Sequence, residues 1–422
     1  MSDNASELTK VAIEGGNPVR NTPLPPSFPG AAVYGIEEQT AVDRVLQNKS
    51  PFRYYGPDVL GMVKSFEQSV IEKFKIRYAL GVTSGTASLI VALKAAGIGP
   101  GDKVIVPAVT FLATAGAVIA AGAVPVFADV DDSLSLDPDS FESVIDSYTK
   151  AVMPVPILGN PCRMDEIVGI ARKHGLLVIE DVAQSCGSRY RGKYSGTFGD
   201  IGCFSLQLNK IISTGEGGFV ITDDQKLIER AIRYHDHGML REKEGFLSKK
   251  GDDVFLGVNY RMSEITGAVA LEQLKKLDFI ISRLKEVKAA IKSRVSDING
   301  ITFRRINDEQ GDASSALLMF LPDGEKAEAF IQALNAENIQ ASSLYGGRPV
   351  YMIPQLLHKK TVDKNKFPFN QFEEEIVYRE GMCPVAERLM ARNVCLMLSP
   401  LYSPQDIEDI VSGIRKVAAR LL

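Results

Sequence analysis

Residues 178–222 read VIEDVAQSCGSRYRGKYSGTFGDIGCFSLQLNKIISTGEGGFVIT. Three short apolar runs stand out: "VIED", "IGCFSL" and "GGFVIT". None alternates apolar with polar residues, so each reads as a strand covered on both faces. Between the second and third runs lies Lys210, where the chain is passing through an interior. A buried ammonium costs several kcal/mol unless it is paired, neutral or chemically used. Local context alone favours the plainer reading, that Lys210 snorkels out of a strand end.

Outward from this stretch, apolar runs alternate with helical patterns. "YALGVT" precedes the helix pattern "GTASLIVALKAAG", "KVIVPA" precedes "TAGAVIAAGA", and "VPVFADV" follows. "AVMPVPIL" leads to the amphipathic "RMDEIVGIARKHG", then to "LLVIED". Such alternation predicts an α/β fold with a mostly parallel central sheet and helices on both faces. A helical pattern over 263–295 leads out of it, and the later segments suggest a smaller α+β C-terminal domain. The expected division is an N-terminal segment 1–30, a large domain 31–275 and a small domain 276–422.

Val104 to Ala128 carries no charged side chain, a span long enough to cross a bilayer. Pro107 and Pro125 interrupt it, and a buried strand–helix–strand unit explains the missing charge better. A net charge of −4 with pI near 5.8 gives no electrostatic reason to expect nucleic acid or an anionic membrane. "MSDNASELTK" has no basic or apolar leader region. The five cysteines are scattered without zinc-ligand spacing, which predicts reduced thiols and a cytoplasmic protein.

Ligands in such sheets sit beyond the carboxyl ends of the strands. "TSGTASL" puts Gly85 and Thr86 at a helix start, an anion site or an ordinary capped turn. Glu180 and Asp181 end a strand, where a carboxylate often only caps a helix. Phe111, just past "VIVPA", would by itself be core. Taken together with Ser205 and Lys210, the set suits pyridoxal phosphate. That cofactor needs an amine for its aldehyde, a carboxylate for its ring nitrogen, a phosphate cup and a flat wall. Burial also lowers an amine pKa, so an apolar setting makes Lys210 useful.

With these residues in place, the chain resembles the DegT-type sugar aminotransferases, within the aspartate-aminotransferase-like (fold type I) pyridoxal phosphate enzymes. The resemblance runs from "GGNPVR" to "CPVAERLM" and the final helix, and 178–222 is its most specific piece. It implies that Lys210 binds the cofactor covalently, as a Schiff base, and moves the proton. Asp181 is implied at the pyridine nitrogen, Gln184 near the ring hydroxyl and Phe111 against the ring. Gly85, Thr86 and Ser205 are implied at the phosphate. Asn259, in "GVNYRMSE", resembles the asparagine that reaches the partner subunit's cofactor, so a homodimer with shared active sites is implied. Pro156 and Leu344 stand where many relatives have histidine. Related dehydratases replace the lysine by histidine; this chain keeps it, which favours amino transfer.

The resemblance implies an amino group passing from glutamate or glutamine to a keto-sugar, for lipopolysaccharide or other amino-sugar biosynthesis. "YHDHGM" and "FRRINDEQGD" look like enzymes making 8-amino-3,8-dideoxy-octulosonate, from an 8-oxo-octulosonate. "GGNPVR" looks like scyllo-inosose aminotransferases, so a keto-cyclitol or a nucleotide-linked 4-keto-6-deoxyhexose is the alternative acceptor. A non-catalytic, cofactor-binding regulator is the alternative of another class. Arg53, Tyr54, His237, Arg261, Tyr345 and Arg348 are the substrate candidates. "GSRYRGKY" lacks the Ser or Thr that a P-loop needs for magnesium. "HDH" (235–237) has no evident third ligand, so no metal is expected.

Overall fold

The computed structural model describes residues 10–239, 241 and 255–422. The leader reading, which rests on residues 1–9, lies outside them. Among the described residues the central sheet has seven strands. They are β1 (Tyr78–Val82), β2 (Lys103–Pro107), β3 (Val124–Ala128), β4 (Thr149–Val152), β5 (Leu177–Asp181), β6 (Ile201–Ser205) and β7 (Gly218–Thr222). Their spatial order is β1-β7-β6-β5-β4-β2-β3. Only β7 runs against its neighbours β1 and β6; the other pairs are parallel. The sheet is therefore mixed but mostly parallel, as the alternation of strand and helix patterns predicts.

The uncharged span 104–128 folds as β2, a helix over Leu112–Ala120 (α4 below) and β3, with both strands almost wholly buried. Successive strand residues serve opposite faces. In β6 and β7, Ile201, Cys203 and Val220 join one core, while Phe204, Phe219 and Ile221 join the other. Phe204 and Phe219 stack at 4.3 Å between ring centres, with Phe66 edge-on to Phe219 at 5.4 Å. Truncating a ring in such a packed layer typically costs about 3–5 kcal/mol.

The helices that matter below are α1 (Ile36–Gln47), α2 (Met62–Phe74), α3 (Gly85–Ala95), α4 (Leu112–Ala120) and α5 (Glu264–Val295). Ser263 caps α5 by accepting from Thr266 N–H at 3.1 Å. Its buried stripe includes Leu277, Ile280, Leu284 and Ile291. One end of α5 packs on α1 and α2, and it also packs on the closing helix α6 (Pro404–Leu421). A second, antiparallel sheet has β8 (Thr302–Phe303), β9 (Ala316–Phe320) and β10 (Asn393–Met397) in sequence order.

Two features tie the second sheet and its helices to the first. Arg304, fully buried, donates from Nη1 to Ile157 O at 2.8 Å and from Nη2 to Leu158 O at 3.3 Å. Residues 10–32 form a strap. Glu337 accepts from the N–H groups of Ala12 and Val19, each at 2.8 Å. Arg20 pairs with Asp406 and Asp409 on α6, at 2.8 and 2.6 Å. The strap then reaches the central sheet, where Gly30 N–H donates to Lys210 O at 3.1 Å.

Candidate active site

The strand register puts the carboxyl ends of β5 and β6 side by side, with Asp181 opposite Cys203. Beyond those ends lies a cavity of about 660 Å³. Glu180 and Asp181 point to opposite sides of the sheet, as alternation requires. Glu180 is a structural anchor: it accepts from Gly196, Phe198 and Gly199 N–H groups, each at 2.7 Å. Asp181 faces the cavity instead.

Two donors hold the Asp181 carboxylate. Thr114 Oγ1 donates to Oδ2 at 2.7 Å, and Ala183 N–H donates to Oδ1 at 3.2 Å. Thr110 Oγ1 lies 2.6 Å from Thr114 Oγ1, completing a hydroxyl chain. Burial pushes the Asp181 carboxyl above its ordinary range, against those bonds and the charge of Lys210.

Lys210 lines the same cavity. Its backbone is fixed at both ends of the peptide unit, by Gln207 O and Gly30 N–H. Its Nζ has no hydrogen bond or ion pair among the described residues. Burial lowers the pKa of this amine, while Asp181 and Glu216 pull it back up. An unpaired amine with a lowered pKa is more often free of its proton, and so takes up a carbonyl carbon more readily than a snorkelling lysine.

Facing Lys210 is the start of α3. Ser84 caps it by accepting from Ala87 N–H at 3.0 Å. The N–H groups of Gly85 and Thr86 have no acceptor among the described residues, and the Thr86 side chain is exposed to the cavity. A Cβ on Gly85 would sit 2.5 Å from Ser205 Cβ. Glycine there lets the Ser205 hydroxyl and the free N–H groups converge, a cradle for a phosphate. Phe111, 58% exposed although apolar, forms a wall. Gln184 Nε2 donates to Tyr345 OH at 2.6 Å, and the Tyr345 ring lies 6.2 Å from that of Phe111. Amine, carboxylate, phosphate cradle and flat wall thus meet in one cavity, a set that fits pyridoxal phosphate.

The other sequence candidates lie elsewhere in this chain. Arg53 is held by Glu67 at 2.7 Å and by Gly81 O. Tyr54 OH lies 3.3 Å from His235 Nε2. Because His235 Nδ1 contacts Ile232 O, Nδ1 carries the proton and Nε2 accepts from Tyr54. Burial and Arg53 hold His235 down to about 3. Arg261 pairs with Asp236 at 2.6 Å, and Asn259 is exposed, bridging Asp236 through the backbone. His237 and Arg348 are exposed. No group of three His, Cys, Asp or Glu placed to hold a metal occurs among the described residues, and no helix there is long and apolar enough to cross a membrane.

Sequence reasoning did not single out Thr114, Glu216, Leu158, Ser315 or Gln340, which also line the cavity. Ser315 Oγ is buried with no hydrogen-bond partner. Only Glu216 carried a local signal, one carboxylate among three glycines in "TGEGG".

Known proteins resemble this chain in sequence and fold. A family model described as the DegT/DnrJ/EryC1/StrS aminotransferase family matches residues 34–415. The spore coat polysaccharide biosynthesis protein SpsC of Bacillus subtilis (strain 168) is 34% identical over 408 residues, 94% of this chain and 98% of that protein. The L-glutamine:2-deoxy-scyllo-inosose aminotransferase of Streptomyces kanamyceticus is 30% identical over 442 aligned positions, 97% of each chain. A crystal structure of DesI in the presence of its TDP-sugar product superposes with a TM-score of 0.80 at 26% identity. It covers 98% of this chain and 97% of that one.

Proposed function

The chain belongs to the DegT/DnrJ/EryC1/StrS aminotransferase family, as a pyridoxal-phosphate-dependent sugar aminotransferase, and from that premise we propose how its own residues serve the reaction. When bound, the cofactor supplies an aldehyde that takes up amines and a pyridinium ring that accepts an electron pair. Lys210 Nζ is the group that would receive the aldehyde carbon and carry the proton to and from the substrate carbon. Asp181, oriented by Thr114, would hold the proton at the ring nitrogen. Gly85, Thr86 and Ser205 would bind the phosphate, Phe111 the ring face, and Gln184 the ring hydroxyl. Tyr345 would act from beside Gln184.

The observation that carries this reading is the unpaired Lys210 amine, facing the cavity that Asp181 also faces. Borohydride reduction of the holoprotein should attach the cofactor to Lys210, and Lys210→Ala should remain folded but complete no turnover. Attachment to another side chain would end the assignment.

The amino donor in this reading is glutamate or glutamine. The acceptor is a keto-sugar for lipopolysaccharide or other amino-sugar biosynthesis, such as an 8-oxo-octulosonate. Likeness to a spore coat polysaccharide protein supports the polymer context. A keto-cyclitol is the second reading, favoured by the Streptomyces kanamyceticus relative, and a nucleotide-linked sugar the third, favoured by DesI. Presenting these acceptors to the aminated enzyme separates them. A regulator without turnover would show no amination of its cofactor by any donor.

We further infer a homodimer in which Asn259 reaches the partner's cofactor phosphate. Leu256, 92% exposed, and Val258, 38% exposed, flank Asn259 and would be covered by a second copy. Arg53, Tyr54, His237, Arg261 and Arg348 would then serve substrate across that boundary or at its rim. Five unpaired, buried cysteines support a cytoplasmic setting. The division 1–30, 31–275, 276–422 is the one this reading keeps, with α5 spanning the second boundary.

A further inference from the structure

Three charged side chains line the cavity: Asp181, Lys210 and Glu216. The proposed function assigns the first two to the cofactor. Glu216 is left over, and the fold goes to some length to hold it there. Its loop is clamped by Leu206, whose N–H donates to Gly217 O and whose carbonyl accepts from Thr214 N–H, each at 2.8 Å. Thr214 Oγ1 donates to the Glu216 carbonyl at 2.8 Å. A Cβ on Gly218 would lie 2.5 Å from Ser84 O, and one on Gly217 would lie 2.5 Å from Thr214 Oγ1. The chain thus passes against the cap of α3 with room for backbone alone.

Glu216 is therefore the long side chain of this turn, projecting where the phosphate cradle meets the Lys210 loop. Glu216 is exposed to the cavity and its carboxylate has no hydrogen bond or ion pair among the described residues, whereas the buried Glu180 and Asp181 are held by three and two donors. A carboxylate only accepts, through two oxygens spaced to take two neighbouring O–H donors. It repels carboxylates and phosphates. No arginine lines this cavity to offset it.

We infer that Glu216 recognises the amino acceptor by accepting hydrogen bonds from neighbouring hydroxyls of its sugar or cyclitol ring. This inference rests on the keto-sugar aminotransferase reading and names a specificity residue for it. The anionic parts of an acceptor then lie away from Glu216, toward the mouth.

The test uses the holoenzyme, aminated with glutamate or glutamine, and three probe acceptors: 2-deoxy-scyllo-inosose, GDP-4-keto-6-deoxymannose and an 8-oxo-octulosonate. Each half-reaction is followed by the cofactor's absorbance in wild type, Glu216→Gln and Glu216→Asp. Expected for the accepted probe is a KM about tenfold or more higher in Glu216→Gln, as for loss of a charged hydrogen bond. Glu216 also raises the Lys210 pKa, so the rate constants of both half-reactions should shift together. The donor KM should stay within about twofold, and a probe lacking the contacted hydroxyl should erase the acceptor-KM difference between wild type and variant. Glu216→Asp keeps the charge at shorter reach and should fall between the two. An unchanged acceptor KM overturns the inference, as does an equal rise of donor and acceptor KM, which would leave Glu216 acting only through its charge beside Lys210. Normal amination by the donor with no turnover of any probe overturns the keto-sugar reading and this inference with it. No amination by either donor would instead sink the aminotransferase assignment.

Discussion

Ser205 occupies the place where a side chain on Gly85 would begin: its Cβ and Oγ lie 2.5 and 2.8 Å from the position of a Gly85 Cβ. Helix geometry would tolerate alanine at 85, so the cost of Gly85→Ala is steric and falls on the anion cradle. Cofactor affinity should drop by an order of magnitude or more, with a loss of stability of about 1–3 kcal/mol. Equilibrium titration with pyridoxal phosphate checks the first and denaturant melts the second. Adding Ser205→Gly should relieve the stability loss but not the affinity loss, because the hydroxyl goes with it.

Thr114→Val removes a donor from Asp181 without changing side-chain volume. That hydrogen bond opposes the rise that burial imposes on the carboxyl, so its loss raises the pKa further. The acid limb of the kcat profile should move to higher pH, with kcat near neutrality down about tenfold. A profile that keeps its acid limb would show that Thr114 does not tune Asp181.

The Lys210 amine gives the apoprotein a stability that depends on pH. Folding lowers its pKa below the ordinary 10.5. In the window between the folded value and 10.5, the unfolded chain binds more protons than the folded one. Stability should therefore rise with pH through that window, and Lys210→Met should flatten the rise. Urea melts of both apoproteins at stepped pH provide the comparison.

His235 acts on the acid side by the same rule. Folding moves it from 6.5 down to about 3. Between those values the unfolded chain again binds the extra proton, so stability should fall as pH drops below 6.5. The size is on the order of a few kcal/mol. His235→Gln should blunt the fall, read from melting temperatures between pH 4 and pH 7.

Arg304→Met should destabilise the protein and loosen the cavity together. It strips donors from the carbonyls of Ile157 and Leu158, and Leu158 lines the cavity. It also leaves Asp312 one buried cation fewer, with Lys288 remaining. A loss of about 2–4 kcal/mol is expected, seen in denaturant midpoints, with weaker cofactor binding alongside.

The central sheet was legible because its strands are apolar throughout and glycine-bounded. All seven runs, from "YALGVT" to "GGFVITD", became strands. The pattern at 263–295 matches α5 to within a residue. Periodicity carries no direction, so the reversal of β7 against β1 and β6 was not readable from it. Among cavity residues, Lys210 and Asp181 announced themselves as charges at apolar strand ends. Thr114 gave no such signal, because a helical threonine looks the same whether it faces solvent or a carboxylate 67 residues away. Ser315 and Gln340 come from the second sheet's side, and only tertiary packing brings them to the cavity.

The strap over residues 10–32 orders events during synthesis. Val19 hangs on Glu337, which the ribosome adds 318 residues later, and Arg20 waits for Asp406 and Asp409. Gly30 covers the carbonyl of Lys210 from that same strap. A nascent chain therefore cannot complete the strap's anchors on Glu337, Asp406 and Asp409 until translation is nearly over.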